Sequence, residues 1–206
     1  MKRIIFATNN EGKAREIKAV YRDLPLEVLV LKDLGVVSEP EENGDTFAEN
    51  ARIKALDVYE QLKHDGRMKE TIVMADDSGL CIDFFGGGPG VHSARFMGHE
   101  TSYEIKNRAI LEQMKDVPDE SRGAAFVCHV TAVTEDGRIF DAESAMEGAI
   151  ARKAEGELGF GYDPIFYVPE YGKVSGLLTE EEKNSVSHRG KVLRKMKEIL
   201  CRSQLI

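Results

Sequence analysis

The chain has 206 residues, 42% hydrophobic and 31% charged, which suits one α/β domain over residues 1–206, built as two small lobes around a shared core with no separable linker. Its formal net charge of −8 argues against a general nucleic-acid binder and toward a small phosphorylated ligand, met by a local cluster of cations and backbone amides. No apolar run approaches the roughly 18 residues of a membrane span, and Cys81, Cys128 and Cys201 lack metal-site or disulfide spacing, so the expectation is a cytoplasmic protein with free thiols and no membrane partner.

Residues 2–8 form a short apolar run ahead of a polar turn and read as a buried first strand. Ile17, Val20, Tyr21 and Leu24 recur at helical spacing, and residues 26–31 read as a second strand. Gly, Pro and acidic residues mark 32–45 as a loop. Thr46 followed by Glu49 is a capping box, opening a helix with the apolar face Phe47, Ala51, Ala55, Val58, Tyr59 and Leu62. Residues 71–75 read as a buried strand that stops at the acidic turn Asp76-Asp77-Ser78-Gly79 and resumes at 80–82. Residues 86–90, with four glycines, read as a structural turn, with a phosphate nest as the alternative. A helix is expected over 101–116, then two strands, 124–133 and 138–150, joined through the hairpin signal Asp136-Gly137. A turn over 159–164 leads to a strand at 165–168. The last helix begins near Ser187, with Val192, Leu193, Met196, Ile199 and Leu200 as its apolar stripe. Early alternation of strands and helices with a hairpin in the middle predicts a mixed sheet.

Five constellations could carry chemistry. Thr8, Asn9, Asn10, Glu11, Gly12 and Lys13 lie between a strand and a helix. A helix start attracts phosphate, and an anion there would offset the unfavourable placing of Lys13; an ordinary capping loop fits the local pattern equally well. Glu41-Glu42 and Asp76-Asp77-Ser78 supply hard oxygens suited to Mg²⁺, or are solvated loop acids. Asn50 and Lys54, four apart, either reach into a cleft or belong to a solvated helix face. Phe160, Gly161, Tyr162 and Asp163 could stack on and read a base, or anchor a turn. Lys183, Asn184, Ser187, His188 and Arg189 gather cations before or at the last helix, with Ser187 as a candidate N-cap. Neither a Walker loop nor a dinucleotide-binding glycine pattern occurs.

Taken in order, Thr8-Asn9-Asn10-x-Gly-Lys13, Thr46-Phe-x-Glu-Asn50 with Lys54, Ala75-Asp-Asp-Ser-Gly-Leu80, Gly86-Gly-x-Pro-Gly-Val91, Ser93-Ala-Arg-Phe96, Phe160-Gly-Tyr-Asp-Pro-Ile-Phe166 and Glu182-Lys-Asn-x-Val-Ser-His-Arg189 resemble the inosine triphosphate pyrophosphatase family, the dITP/XTP pyrophosphatases. The resemblance implies Mg²⁺-dependent hydrolysis of ITP, dITP and XTP to monophosphate and pyrophosphate. It also implies an elongated, two-lobed α/β fold with a long twisted mixed sheet, flanking helices and a central cleft, usually assembled as a homodimer. Carried over by position, Thr8 to Lys13 would hold the triphosphate, with Ser78 and Lys54 on the phosphate side. Glu42 and Asp77 would hold the metal, with Asp77 and Lys54 catalytic. Phe160, Gly161, Tyr162, Asp163, Lys183, His188 and Arg189 would form the base pocket. The family often has Gly where this chain has Asn9, and an Ala-Glu pair where it has residues 175–177, a stretch to which no role is assigned.

Overall fold

The computed structural model describes residues 1–156 and 158–206; the Asn184 side chain, part of the last motif above, lies outside the described residues. Among the described residues, seven strands form one open mixed sheet in the order β2-β1-β3-β4-β5-β6-β7. β1 (Arg3–Phe6) pairs in parallel with β2 (Glu27–Val30) and β3 (Thr71–Ile82). β5 (Ile139–Ile150), β6 (Phe166–Val168) and β7 (Lys173–Val174) are joined antiparallel. Among the described residues, no helix is long and apolar enough to cross a membrane.

By contacts the chain divides into two compact units, one of residues 1–77, 128–144 and 189–206, the other of 78–127 and 145–188. In the first, Ile4, Ile5 and Phe6 of β1 are fully buried, because the sheet is covered on both faces. Strand alternation sorts the side chains. Ile4, Phe6, Ile72 and Met74 pack with Ile17 and Tyr21 of α1 (Glu11–Tyr21) and with Val192, Leu193 and Met196 of the C-terminal helix. Ile5, Val73 and Ala75 pack with Ala55, Val58 and Leu62 of α3 (Phe47–His64). α1 ends at Tyr21, so Leu24 reaches the same core from the following turn, where its N–H donates to the Tyr21 carbonyl (3.1 Å). α2 (Leu31–Leu34) occupies the start of the predicted loop, terminated by Gly35 in the left-handed conformation (φ 64°).

The α3 N-terminus forms as predicted. Thr46 Oγ1 accepts the Glu49 N–H (3.1 Å), and Glu49 Oε2 accepts the N–H groups of Thr46 (3.0 Å) and Asp45 (2.8 Å). The expected break at Asp76-Asp77-Ser78-Gly79 does not occur: β3 is one strand from Thr71 to Ile82, with both aspartates inside it and buried. Two carboxylates in a strand interior ought to disrupt it. Here they are matched by cations from distant elements, which local composition does not reveal.

In the second unit, Leu80, Ile82, Ile110, Met114, Met146, Tyr162, Ile165, Phe166, Leu178 and Val186 form the core. The turn over 86–90 is structural. The amides of Gly86, Gly87 and Gly88 donate to the carbonyls of Asp83, Ile82 and Phe85, which leaves no nest for phosphate. α4 (Tyr103–Gln113) starts at Ser102, whose hydroxyl accepts the Ile105 N–H. α5 (Glu180–Val186) is a helix not expected from the sequence; its own capping box, Thr179 with Glu182, starts it. β4 (Gly123–Thr134) and β5 meet through Asp136-Gly137, with Gly137 at φ 81°. The last helix, α6 (His188–Arg202), begins directly after Ser187.

Candidate active site

Phe6, the last residue of β1, aligns with Met74, and the Ala7 N–H donates to the Met74 carbonyl (2.7 Å). β3 continues, so Asp76 and Asp77 stand beyond the carboxyl end of a parallel strand, where the chain turns into α1. Such carboxyl ends are where open α/β sheets bind their ligands. Because neighbouring strand residues face opposite ways, the two acids enter different surroundings.

Asp76 faces the α1/α6 side and is 2% exposed. Lys13 Nζ lies 2.8 Å from its Oδ1, Arg189 Nε 3.1 Å from its Oδ2, and Arg189 also reaches Glu16 (3.1 Å). Burial alone would push the Asp76 carboxyl up, but Lys13, Arg189 and Lys54 together outweigh it and hold Asp76 well below the usual carboxylate range. The Cys128 thiol approaches Asp76 Oδ2 (3.7 Å); burial, reinforced by Asp76, keeps it protonated and inert. Lys13 in the first turn of α1 is therefore balanced by a carboxylate already in the fold. Arg189, grouped by sequence with Lys183 and His188, is engaged with Asp76 and Glu16 in the first unit.

Asp77 faces α3. Asn50, fully buried, donates through Nδ2 to Asp77 Oδ2 (3.3 Å) and accepts the Gly44 N–H at Oδ1 (2.9 Å). One turn later Lys54 donates to Asp77 Oδ1 and to Glu42 Oε2, both at 3.0 Å. This overturns the solvated-face alternative for Asn50 and Lys54. Asn50 ties the loop carrying Glu42 to the strand carrying Asp77. A Cβ at Gly44 would stand 2.6 Å from Glu49 Cβ and 2.9 Å from Asn50 Oδ1, so only glycine allows this approach. Burial raises the Asp77 carboxyl; Lys54 opposes the rise and Glu42 adds to it. Burial acts to lower Lys54, but Asp77, Asp76 and Glu42 outweigh it and raise the ammonium. Glu42 and Asp77 could hold a divalent cation. Among the described residues no group of three or more His, Cys, Asp or Glu forms a metal cage. Two carboxylates suit Mg²⁺, which retains waters and takes further oxygens from phosphates.

The Thr8–Lys13 loop is held by its own side chains. Thr8 Oγ1 accepts the Asn10 N–H and Asn10 Oδ1 caps α1 through the Lys13 N–H, both at 3.1 Å. Glu11 is exposed and paired with Lys32 (3.0 Å). A cavity of about 290 Å³ borders Thr8, Asn9, Asn10 and Glu11, rimmed by Arg15, Lys18 and Lys32.

In the second unit, buried Asp163 gathers three donors: the Phe160 N–H (2.7 Å), Ser175 Oγ (2.8 Å) and Lys183 Nζ (2.5 Å). Gly159, at φ 88°, passes so close to Asp163 and Lys183 that a Cβ would collide with both. Asp163 thus fixes the turn and aims Lys183, whose ammonium lies 5.0 Å from the Phe160 ring centroid. Phe160 is 53% exposed, leaving its ring available for stacking. Tyr162 is buried, its hydroxyl donating to the Ser93 carbonyl (2.7 Å) and its ring meeting Tyr103 edge-on. The Gly161 carbonyl accepts from Asn107 (3.1 Å), and His188 stacks on Phe126. Ser78 lies partly exposed on β3. The sequence groups Asp76 with Asp77 as a possible oxygen ligand, assigns Ser175 no role, and gives no sign of Glu16 or Asn107. Only Asp76, beside Asp77, carried a local signal; Ser175 gains its part through a contact 12 residues away.

With this geometry established, comparison with known proteins is decisive. The Ham1 family profile matches residues 4–199. The chain belongs to the Ham1 family. The dITP/XTP pyrophosphatase of Clostridium perfringens is 43% identical over 97% of this chain and 98% of its own length, and that of Escherichia coli 41% identical over 97% and 98%. Among solved Ham1 structures, the Coxiella burnetii protein superposes with a TM-score of 0.87 at 34% identity, covering 98% of this chain and all of that one. The Staphylococcus aureus Ham1 protein gives 0.86, also at 34% identity, with the same coverage.

Proposed function

We propose that this Ham1-family chain is a nucleoside triphosphate pyrophosphatase that hydrolyses the non-standard purine nucleotides ITP, dITP and XTP to monophosphate and pyrophosphate, removing them from the nucleotide pool. The observation that carries the reading is the pair of adjacent carboxylates in opposite electrostatic states. Asp76 is locked as an anion between Lys13 and Arg189, while Asp77 is raised by burial beside Lys54 and Glu42. Divergent environments for paired acids mark acid/base sites. The near-full-length relatives carry the matching activity in their names.

In this reading the Thr8–Lys13 loop holds the triphosphate, and Lys13 and Lys54 offset its charge. Glu42 and Asp77 hold Mg²⁺, which when bound neutralises phosphate charge. Asp77 orients a water and takes its proton as the water oxygen bonds to the α-phosphorus. The α–β bridging bond breaks, and pyrophosphate leaves with the electron pair. Fixed charges and positioning supply most of the rate in such transfers. Ser78 lies with Lys54 on the phosphate side. In the base pocket, Phe160 stacks on the base, and Lys183 and His188 complete recognition. Asp163, Gly161 and Tyr162 support that pocket from behind. Donors aimed at O6 favour 6-oxo purines over ATP, whose 6-amino group leaves them unpaired.

The chain works as one domain over residues 1–206, because it passes between its two units four times and no single cut separates them. Its setting is the cytoplasm and its assembly a homodimer, with neither nucleic acid nor membrane as partner.

Pyrophosphate release measured across ITP, dITP, XTP, ATP and GTP, with and without Mg²⁺, tests the reading. ITP, dITP and XTP should turn over about 100-fold or more faster than ATP, the scale of an unpaired polar contact in a specificity site, and only with Mg²⁺. Stepwise orthophosphate release rejects attack at the α-position. Nucleotide binding with no pyrophosphate turns the chain into a sensor.

A further inference from the structure

The Lys54 ammonium sits 3.0 Å from Glu42 Oε2 and 3.0 Å from Asp77 Oδ1, the two acids assigned to the divalent cation. We propose that Lys54 and the cation compete for these oxygens, so that the cation is taken up together with the nucleotide's phosphates rather than ahead of them.

The argument is one of charge and placement. Glu42 and Asp77 carry two negative charges and Lys54 one positive. Adding a divalent cation leaves the cluster with an excess positive charge and two cations repelling one another at shared ligands. Lys54 cannot simply leave, since its side chain is 15% exposed and its stem rises from the fixed helix α3. Displaced without another anion, it would be a largely buried ammonium lacking both partners, which is unfavourable. A triphosphate resolves both difficulties, supplying oxygens for the cation and an anionic partner for the lysine. Asn50 holds Asp77 Oδ2 and the Gly44 amide, two residues from Glu42, which keeps the loop and the strand that carry the two acids in register.

The inference rests on the pyrophosphatase reading only for the identity of the phosphate ligand; the competition itself is measured without turnover. Mn²⁺, visible by electron paramagnetic resonance, is titrated into the protein with no nucleotide. Lys54→Met, and Lys54→Gln as a second neutral variant, should bind Mn²⁺ at least about tenfold more tightly than the wild type, within the usual range of coupling between ligands. Lys54→Arg should stay within about threefold of wild type, because a cation remains at the acids. Lys13→Met, which removes an ammonium paired with Asp76 instead, should change Mn²⁺ affinity much less than Lys54→Met. A non-hydrolysable ITP analogue should tighten Mn²⁺ binding more in the wild type than in Lys54→Met. Equal affinities for wild type and both neutral variants overturn the proposal. So does an equal gain in Lys13→Met, which would reduce the effect to net charge. Pyrophosphate release by the wild type is scored separately: its absence removes the enzymatic reading and leaves the competition standing or falling on the Mn²⁺ data.

Discussion

Asp77→Asn is expected to lower kcat on ITP by about 10²–10⁴-fold, the range contributed by a positioned general base, while leaving the fold intact. The amide has nearly the same shape and still offers one oxygen to Lys54 or Asn50, now 3.0 and 3.3 Å from the two carboxylate oxygens. It has no basic oxygen with which to take a proton. Stability should change little, since relief of an ionisation that burial disfavours is offset by Lys54 losing one of its two carboxylates. Burial raises the Asp77 carboxyl in the folded chain, so its ionised form is favoured more in the unfolded state than in the folded one. An amide removes that unfavourable ionisation. Initial rates of pyrophosphate release together with a thermal melt check both halves. A variant keeping more than about a tenth of wild-type kcat would remove Asp77 from proton transfer, since that lies below the range for a general base.

Asp76→Asn should do the reverse, destabilising the fold by about 3–5 kcal/mol, the usual result of removing one partner from a buried ion pair. Lys13 and Arg189 both lose the carboxylate they share, and Arg189, 4% exposed, keeps only Glu16 among its acidic partners described above. Against a typical total of about 5–15 kcal/mol, this is a loss that urea unfolding reads directly. The pH dependence gives a second signature. The Asp76 carboxyl is held below its unfolded value of about 3.9, so its contribution is fully present above that pH and is lost as pH falls through the lower folded value. The wild type should therefore lose stability steeply below about pH 4, and Asp76→Asn should lose less over that interval. A loss under about 1 kcal/mol, the level of an exposed pair, would mean that this cluster does not hold the sheet and helices together. If both results hold, two neighbouring residues of one strand divide the work: one serves the fold, the other the reaction.

What the sequence disclosed about this division depended on distance along the chain. The Thr46/Glu49 cap, the Asp136-Gly137 hairpin and the stripe of the last helix depend on residues a few positions apart, and each forms where it was expected. The equivalent cap at Thr179 and Glu182 is equally local, but the helix it opens has 7 residues and no apolar stripe, so periodicity gives no signal there. β3 was misread for a different reason. Its acids look like a stop until Lys13 and Arg189 arrive from 63 and 113 positions away. Individual site residues were legible as chemical types, but their partners were not. The spacing of Asn50 and Lys54 fits either a cleft or a solvated face, and only the contacts with Asp77 decide between them. Similarly, base reading and turn anchoring were both open for Asp163, and its bonds from Phe160, Ser175 and Lys183 become visible only in the fold.

The first unit's composition, from residues 1–77, 128–144 and 189–206, also sets an order of events during synthesis. The ribosome releases Lys13, Asp76 and the apolar side chains of β1 and β3 well before Arg189, Val192, Leu193 and Met196. Until then one flank of the nascent sheet lacks its covering helix, and Asp76 lacks its guanidinium. Domains tend to complete as cooperative units. A growing chain of this protein therefore places Asp77, Lys54 and Glu42 early, but closes the Asp76 cluster only once α6 has been made.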